Sequence, residues 1–470
     1  MSSQTPPHHR LFMALVGVIS AVLNTAAFFV LLPTNGQIAG TPYARALTGT
    51  LAVAAFVIFV RFHLVSSARN LWWMLSQGAL RWFRLLIVLV VLLFFTHDGS
   101  GELRTLLIEW TALALPLQLI GLALLRAAAH AINNAPGNQR HAVFFGFCSE
   151  ARRLNLRLQR SPLLGIRIDG YYNEMPVVPE PGETLPPYLG RYADAAARVQ
   201  ANDFQMVFIA MGEFNRENLT TEIMDRLYDS TAAIYLVPEL RFFDGPTTSS
   251  ASLAGVPLLA LHDIRILGLS RMVKRLVDIA GASLMLLMLS PLMVLIAIAV
   301  RLDSAGPILF RQVRYGERGE PINVRKFRSM RFTPRKEDEE AEGEVRQARV
   351  GDGRITTVGR FLRRSSLDEL PQLFNVVGGS MSLIGPRPHA AEHNELYRRL
   401  IPGYMLRHSV KPGITGWAQI NGLRGITDTP DKMERRVEYD RYYITNWSLW
   451  LDLEILVKTI PSIILGRNAV

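Results

Sequence analysis

Residues 279–300 read IAGASLMLLMLSPLMVLIAIAV, 22 positions without a charge. About 20 apolar residues suffice for a helix to cross a bilayer, so the simplest reading is a membrane span. The flanks disagree with it. Arg271, Lys274 and Arg275 precede the stretch, and Arg301, Arg311 and Arg314 follow it. Basic residues concentrate on the cytoplasmic side of a membrane, so both ends read as cytoplasmic. Pro291 removes a helical hydrogen bond near the centre, and Ser290 before it can satisfy a freed backbone group. A re-entrant helix over 276–300, broken at Ser290 and Pro291 and leaving by the leaflet it entered, accounts for charge and proline together. A Pro-kinked span is the alternative, and it would put everything after Val300 on the far side.

Working outward, the chain has 470 residues, enough for about three folding units. Lys+Arg 51 against Asp+Glu 40 gives a net charge of +11. An apolar share of 49% is ordinary; its distribution is not. Residues 11–60 hold one charged side chain, Arg45, and the first acidic residue is Asp98, whereas the remainder is charge-rich. This excludes a simple soluble globule and a fully polytopic carrier. The single Cys148 excludes an intrachain disulfide framework and a cysteine-based zinc site.

Four membrane spans are expected at 11–32, 46–60, 85–96 and 105–125. Trp82 and the snorkelling Arg81 and Arg84 edge the third. The first is too long, and lacks the small-residue pattern, for a cleavable signal. Arg10, Arg61, Arg69, Arg81, Arg84, Arg126 and Arg140 fall on one side, against Arg45 and Arg104 on the other. Both ends of the bundle therefore face the cytoplasm, as does the large C-terminal part.

Residues 141–265 alternate strand-like runs (142–147, 206–211, 232–237) with helix-like ones (149–160, 215–228), an α/β unit with a parallel sheet. After its first strand stands Gly146-Phe-Cys148-Ser-Glu150. A dinucleotide fingerprint needs two further glycines so that the backbone can approach a pyrophosphate, and Glu150 would repel one. The expectation is a Rossmann-like scaffold that binds neither NAD nor CoA.

The chemistry concentrates at 354–388, RITTVGRFLRRSSLDELPQLFNVVGGSMSLIGPRP. Asp368 and Glu369 lie three and two residues before Pro371. Proline is tolerated in a helix only in its first turn, so the dyad sits at a helix start, the electropositive end. Ser366-x-x-Glu369 could be no more than a capping box. The surroundings argue for more: Arg354, Arg360, Arg363 and Arg364 precede the pair, Arg387 follows in a Gly-Pro-Arg-Pro turn, and Lys326 and Arg328 lie upstream in Lys-Phe-Arg-Ser-Met. Carboxylates in a field of arginines suit Mg²⁺ plus phosphates, and an ionised Asp so placed can attack phosphorus.

Other signals are weaker. His389-Ala-Ala-Glu392-His393 matches an inverted zinc-peptidase pattern but has no identifiable third ligand. Residues 335–344 form a charge run expected to be a solvated loop. Trp447, Trp450, Leu449, Leu453, Ile455 and Leu456 fit a helix lying on a membrane surface or, nearly as well, a core helix.

Taken together, Lys326-Phe-Arg-Ser-Met330, Ser366-Leu-Asp-Glu-Leu-Pro371, Gly385-Pro-Arg-Pro388 and Lys411-Pro-Gly-Ile-Thr-Gly416 resemble the bacterial sugar transferase family, large monotopic phosphoglycosyl transferases that initiate exopolysaccharide synthesis. Residues 393–425 further resemble its colanic-acid-type branch, which uses UDP-glucose. The resemblance covers the whole chain. It implies a four-helix transmembrane bundle (1–135), a Rossmann-like domain (136–265) and a mostly α catalytic domain with the re-entrant helix (266–470). It also implies a reaction. Asp368 would attack the sugar-linked phosphate of UDP-glucose and expel UMP, and undecaprenyl phosphate would then take the phosphosugar from Asp368 to give undecaprenyl-diphosphate-glucose; the same reaction with UDP-galactose or another UDP-sugar is an alternative. Glu369, with Asp368 beside it, would bind Mg²⁺; Arg363, Arg387 and Arg424 would clamp phosphates, with Lys326, Arg328 and Arg354 completing the substrate-binding set. The implied setting is the bacterial inner membrane, multi-pass, catalytic domain cytoplasmic. The partners are membrane lipid and a second copy through the middle domain, with no nucleic acid. A UDP-releasing glycosyltransferase and a catalytically silent scaffold are the competing readings.

Overall fold

The structure is a computed structural model and describes residues 7–31, 42–60, 62, 71–95, 101–135, 138–210, 227, 229–238, 251–253, 256–266, 268–331, 352–389, 391–423 and 429–464. The expected helix at 215–228 (all but Leu227), the charge run at 335–344 and Arg424 lie outside the described residues.

Four helices open the chain: α1 (Pro7–Leu31), α2 (Pro42–Phe59), α3 (Leu71–Phe95) and α4 (Gly101–Asn134). Within α1, α3 and α4 are segments long and apolar enough to cross a membrane; the apolar part of α2, Ala46–Phe59, is shorter. The third helix begins at Leu71 rather than 85, which moves Arg81, Trp82 and Arg84 from its edge into its body. Trp82 is not an interfacial residue: it is fully buried and stacks on Trp110 at 5.3 Å between ring centres. Both indoles donate to Asn24, Trp82 Nε1 to its side-chain oxygen and Trp110 Nε1 to its backbone oxygen, each at 3.1 Å. Asn24 in turn donates to Gln118 Oε1 at 2.8 Å, and Gln118 to Ser20 Oγ at 2.9 Å. Lipid offers no alternative partners, so this buried polar set ties α1, α3 and α4 together in one register.

A seven-stranded sheet follows, in the order β3-β2-β1-β4-β5-β7-β6. Its strands are β1 (Arg140–Phe145), β2 (Ile166–Tyr172), β3 (Tyr188–Gly190), β4 (Met206–Ala210), β5 (Ala233–Val237), β6 (Ala251–Leu253) and β7 (Val256–His262). Helices α5 (Ser149–Gln159) and α6 (Ala195–Gln200) belong to this unit. The strands from β3 to β5 pair in parallel, as expected, but β7 runs antiparallel to β5 and β6 antiparallel to β7. The sheet is therefore mixed, because a short β6–β7 connection can only return antiparallel. The turn after β1 is filled by its own side chains. Phe147 is buried and stacks on Tyr171 at 4.8 Å, and Cys148 and Glu150 are buried beside it. Glu150 stands in the first turn of α5, where a dinucleotide would need to bring its phosphates.

The third unit begins with α7 (Leu269–Asp303), 35 residues and helical throughout, so neither Ser290 nor Pro291 interrupts it. The Ser290 hydroxyl donates to Leu287 O at 2.9 Å. Both ends of α7 pack on the same domain. Near its start, Asp278 accepts from Ser382 Oγ (2.8 Å) and Leu383 N (3.1 Å), and Lys274 pairs with Asp452 at 2.9 Å. Toward its end, Met293, Ile296 and Val300 form an apolar cluster with Phe327 and Leu362. Between these anchors Leu284, Leu287, Met288 and Leu292 are exposed.

Around α7 are the hairpin β8 (Leu309–Tyr315) and β9 (Pro321–Phe327), α8 (Thr357–Ser365), α9 (Gln372–Gly378), β10 (Ser382–Ile384), α10 (Ala391–Leu400), β11 (Gly413–Thr415), α11 (Trp417–Ile420), α12 (Pro430–Asn446) and α13 (Leu449–Ile464). The helix expected over Trp447 to Leu456 begins at Leu449, and Trp447 stands in the turn that closes α12. Trp447 is buried and donates to Asp452 at 3.1 Å, while Trp450, Leu453 and Val457 on α13 are exposed.

Candidate active site

Each carboxylate of the dyad is set by a local backbone device. Gly359 lets α8 lie directly on the β9 extension: a Cβ there would stand 2.0 Å from Ser329 O. The helix then ends at Ser366, whose φ of 56° is left-handed, a conformation that costs a non-glycine residue about 1 kcal/mol. That turn launches a short 3₁₀ segment, Leu367–Glu369, just ahead of α9. The dyad thus stands at a helix start, but the capping box does not form: Ser366 makes no side-chain cap bond, and the Glu369 carboxylate turns elsewhere. Leu367 and Leu370 pack against the Met293, Ile296 and Val300 face of α7, so the membrane helix underlies the dyad.

Asp368 and Glu369 are both buried. Glu369 Oε1 receives Lys326 Nζ at 2.8 Å and Arg387 Nη2 at 2.7 Å, and its Oε2 receives Arg387 Nη1 at 3.2 Å. Burial alone would push this carboxyl up, but Arg387 and Lys326 outweigh it and hold the group well below its usual range. Asp368 accepts no hydrogen bond from a described residue. Burial, then the charge of Glu369, push it up to about 6, while Lys326, Arg363 and Arg387 pull against them. Two neighbouring carboxylates are therefore held apart in proton affinity, the arrangement that separates roles in a catalytic pair.

The fork of Arg387 is aimed by a paired strand. β10 and β11 run parallel, Gly385 N donates to Thr415 O and Gly413 N to Pro386 O, each at 2.9 Å. The two glycine motifs meet backbone to backbone: a Cβ on Gly413 would lie 2.1 Å from Gly385 N. Gly413→Ala is accordingly expected to cost about 3 kcal/mol, since no rotamer can relieve a backbone clash, and to lose activity with the displaced Arg387. Thermal melting and turnover of the variant check this.

Behind Arg387 lies a buried network that gave no signal in the sequence. Arg407 donates to Arg387 O at 2.8 Å, to Asp440 Oδ2 at 2.9 Å and to Tyr404 Oη at 3.0 Å. His389 belongs to this network. It bonds Tyr404 Oη at 3.0 Å and also meets Arg407 and Arg436. Burial, with Arg407 and Arg436 adding, drives its pKa well below 6.5, so it is neutral. The zinc-peptidase pattern is explained by packing at His389; the side chains of Glu392 and His393 lie outside the described residues.

Of the expected site residues, Lys326, Asp368, Glu369 and Arg387 meet, and Arg363 is close enough to act on Asp368. Arg328 does not join them. It is buried at the end of α7, where Nη2 donates to the carbonyls of Val300 (3.2 Å) and Ser304, which a helix end leaves open, and to Ser304 Oγ at 3.0 Å. Arg354 spends its fork on Asp352, at 3.0 Å and 2.7 Å, and pulls that carboxyl down to about 2.

The donor set fits Mg²⁺ in its usual manner. That ion takes one or two carboxylates and fills its remaining positions with water and phosphate oxygens. Two adjacent buried carboxylates, one without a described hydrogen-bond donor, offer this, and no cluster of three or more such ligands exists among the described residues.

A family model described as bacterial sugar transferase matches residues 269–466, and one described as CoA-binding domain matches residues 62–238. The chain is 41% identical over 369 residues to "UDP-glucose:undecaprenyl-phosphate glucose-1-phosphate transferase" of Escherichia coli (strain K12), covering 78% of this chain and 77% of that protein. A protein of the same name from Klebsiella pneumoniae is 42% identical over 346 residues, 74% and 72% of the two chains. One from Xanthomonas campestris pv. campestris is 38% identical over 353 residues, 74% and 71%. With the four ordered motifs folded around one carboxylate pair and relatives matching over most of its length, the chain belongs to the bacterial sugar transferase family.

Proposed function

We propose that this protein transfers glucose-1-phosphate from UDP-glucose to undecaprenyl phosphate, releasing UMP, as the first membrane step of exopolysaccharide synthesis. The observation that carries the reading is the split pair: Asp368, raised to about 6 with no described donor on it, beside a Glu369 ion-paired with Lys326 and Arg387. Above its pKa Asp368 is an anion with no hydrogen bond from a described residue to blunt it, which suits a nucleophile.

In the first step an Asp368 oxygen bonds to the sugar-linked phosphorus. The bond from that phosphorus to the bridging oxygen breaks, and UMP leaves with the electron pair. In the second, an oxygen of undecaprenyl phosphate bonds to the same phosphorus and the Asp368 oxygen departs, restoring the carboxylate. Arg387 and Arg363 hold phosphate oxygens, and Lys326 keeps Glu369 ionised and oriented. Glu369, with Asp368 beside it, would hold Mg²⁺, and the ion would supply charge neutralisation at the diphosphate.

Both substrates must reach one site at the membrane face, so the protein is read as an inner-membrane protein with its catalytic domain cytoplasmic. The re-entrant reading of α7 is supported by the packing of its two ends on one domain, its exposed middle around Ser290-Pro291, and basic residues at both flanks. The resemblance adds a homodimer through the middle domain, which a mass measurement in detergent tests.

The deciding experiment gives the protein Mg²⁺, undecaprenyl phosphate and each of a panel of UDP-sugars and identifies the nucleotide released. UMP with UDP-glucose is the expected product; UDP would overturn the mechanism. For the middle domain, the filled turn at Phe147, Cys148 and Glu150 supports the absence of nucleotide binding. Titration calorimetry of the full chain with CoA or NAD is expected to show no saturable heat, and saturation by either refutes this.

A further inference from the structure

The turn between α4 and the sheet domain, the start of α7 and the catalytic domain meet around a cavity of about 240 Å³ that the reaction above leaves unused. Asn138, from the turn after α4, lines one side; Arg271, Met272, Lys274, Arg275, Leu276 and Asp278 of α7 line another; Glu317, Ser382 and Lys411 close it. It is distinct from the candidate active site. Arg275 reaches the C-terminal carbonyls of α9, Val376 O and Val377 O, whereas the dyad precedes the N-terminus of the same helix. At 1.5 Å per residue the two places are roughly 15 Å apart.

The cations here are unequally partnered. Arg271 pairs with Glu317 at 2.8 Å, Lys274 with Asp452 at 2.9 Å, and Arg275 is held by the two α9 carbonyls. Lys411 alone among them makes no hydrogen bond or ion pair with a described residue, although it is half-buried. Its head stands beside that of Arg275: a Cβ on Gly379 would be 3.2 Å from Arg275 Nη2 and 3.8 Å from Lys411 Nζ. Burial, then Arg275 and Arg271, lower the Lys411 pKa against the opposing pull of Glu317 and Asp278. A half-buried ammonium among cations, with a cavity before it, is short one anion.

The lining is also amphipathic. Leu276 belongs to it and, with Val277, begins the exposed apolar surface of α7 that faces lipid in the reading above. We propose that this cavity binds a phosphate-bearing anion through Lys411 and Arg271, either the headgroup of an anionic phospholipid entering along α7 or a soluble phosphate. Occupancy would join the end of α4, the start of α7 and the strand pair carrying Arg387 around one ligand.

The test uses the full chain in a neutral detergent without nucleotide sugar, titrated separately with short-chain phosphatidylglycerol, short-chain phosphatidylcholine and inorganic phosphate while thermal stability is followed. Phosphatidylglycerol is expected to stabilise saturably and phosphatidylcholine not to. Lys411→Gln is expected to weaken the apparent affinity at least about tenfold, and Lys411→Arg to retain it. Met272→Glu, which keeps the lysine but places a carboxylate in the cavity, is expected to repeat the loss should Lys411→Gln not fold. An equal effect of inorganic phosphate, lost in the same variants, assigns the site to the soluble ion, and an effect of phosphatidylglycerol alone assigns it to lipid. No saturable response to either, or a response that both Lys411→Gln and Met272→Glu leave unchanged, overturns the proposal.

Discussion

Asp368→Asn is expected to lower UMP release at least about ten-thousandfold, because the amide cannot form the phosphoryl bond and no neighbouring carboxylate can replace it. Glu369 cannot stand in: its ion pairs with Lys326 and Arg387 hold its carboxylate well below its usual proton affinity and so blunt it as a nucleophile. The same substitution should stabilise the fold at neutral pH. Burial and the neighbouring Glu369 push Asp368 up to about 6 in the folded protein, against 3.8 for an ordinary aspartate. A raised carboxyl contributes stability that is fully present below its unfolded pKa and is lost as pH rises through the folded one. The variant's advantage over the wild type should therefore grow from near zero at pH 4 to about 3 kcal/mol above pH 7. Turnover of the wild type should rise with pH through about 6, as the nucleophile ionises. Melting curves and pH–rate profiles read both effects. A variant that keeps measurable UMP release, or a wild-type profile flat from pH 5 to 8, would sink the covalent role.

Glu369→Gln is the second large effect, and it differs in kind. It leaves Arg387 and Lys326 facing an amide in a site where they had shared one carboxylate. Removing one partner of a buried charge set costs about 3 kcal/mol or more, since the remaining charges keep their desolvation without its compensation. Lys326→Met should cost less, because Glu369 keeps the bidentate Arg387. Activity in Glu369→Gln should fall by about a thousandfold, and whatever remains should titrate at lower pH, since the Glu369 charge, after burial, is what raises Asp368. A Glu369→Gln protein as stable as the wild type would show that the three side chains are not coupled as described.

Much of the site was legible because its motifs encode local backbone requirements. Pro371 placed the dyad at a helix start, and α9 begins at Gln372. The glycines of Gly385-Pro-Arg-Pro and Lys411-Pro-Gly-Ile-Thr-Gly mark the positions where two strands touch without room for a side chain. Arg328 and Arg354 were less legible: an arginine reads the same whether it caps a helix, pairs with Asp352 or waits for a phosphate. The Arg407–Asp440 pair that braces Arg387 joins residues 33 positions apart and has no pattern that spacing could show.

The bundle shows the same division. Hydropathy alone determined that the front of the chain is membrane helix, because burying about 20 apolar residues in lipid depends on composition and not on neighbours. It placed the third helix 14 residues late, since Arg81 and Arg84 look like an end until Arg81 is seen donating to Ile58 O of the adjoining helix segment. Sequence likewise located a carboxylate pair among basic residues, which the structure brings together with Lys326 and Arg387. What only the tertiary structure decided is which of those bases touch the pair, and that both ends of α7 pack on one domain. Charge and hydrophobicity are properties of residues, whereas partnership among them is a property of distances, and those exist only once the chain has folded.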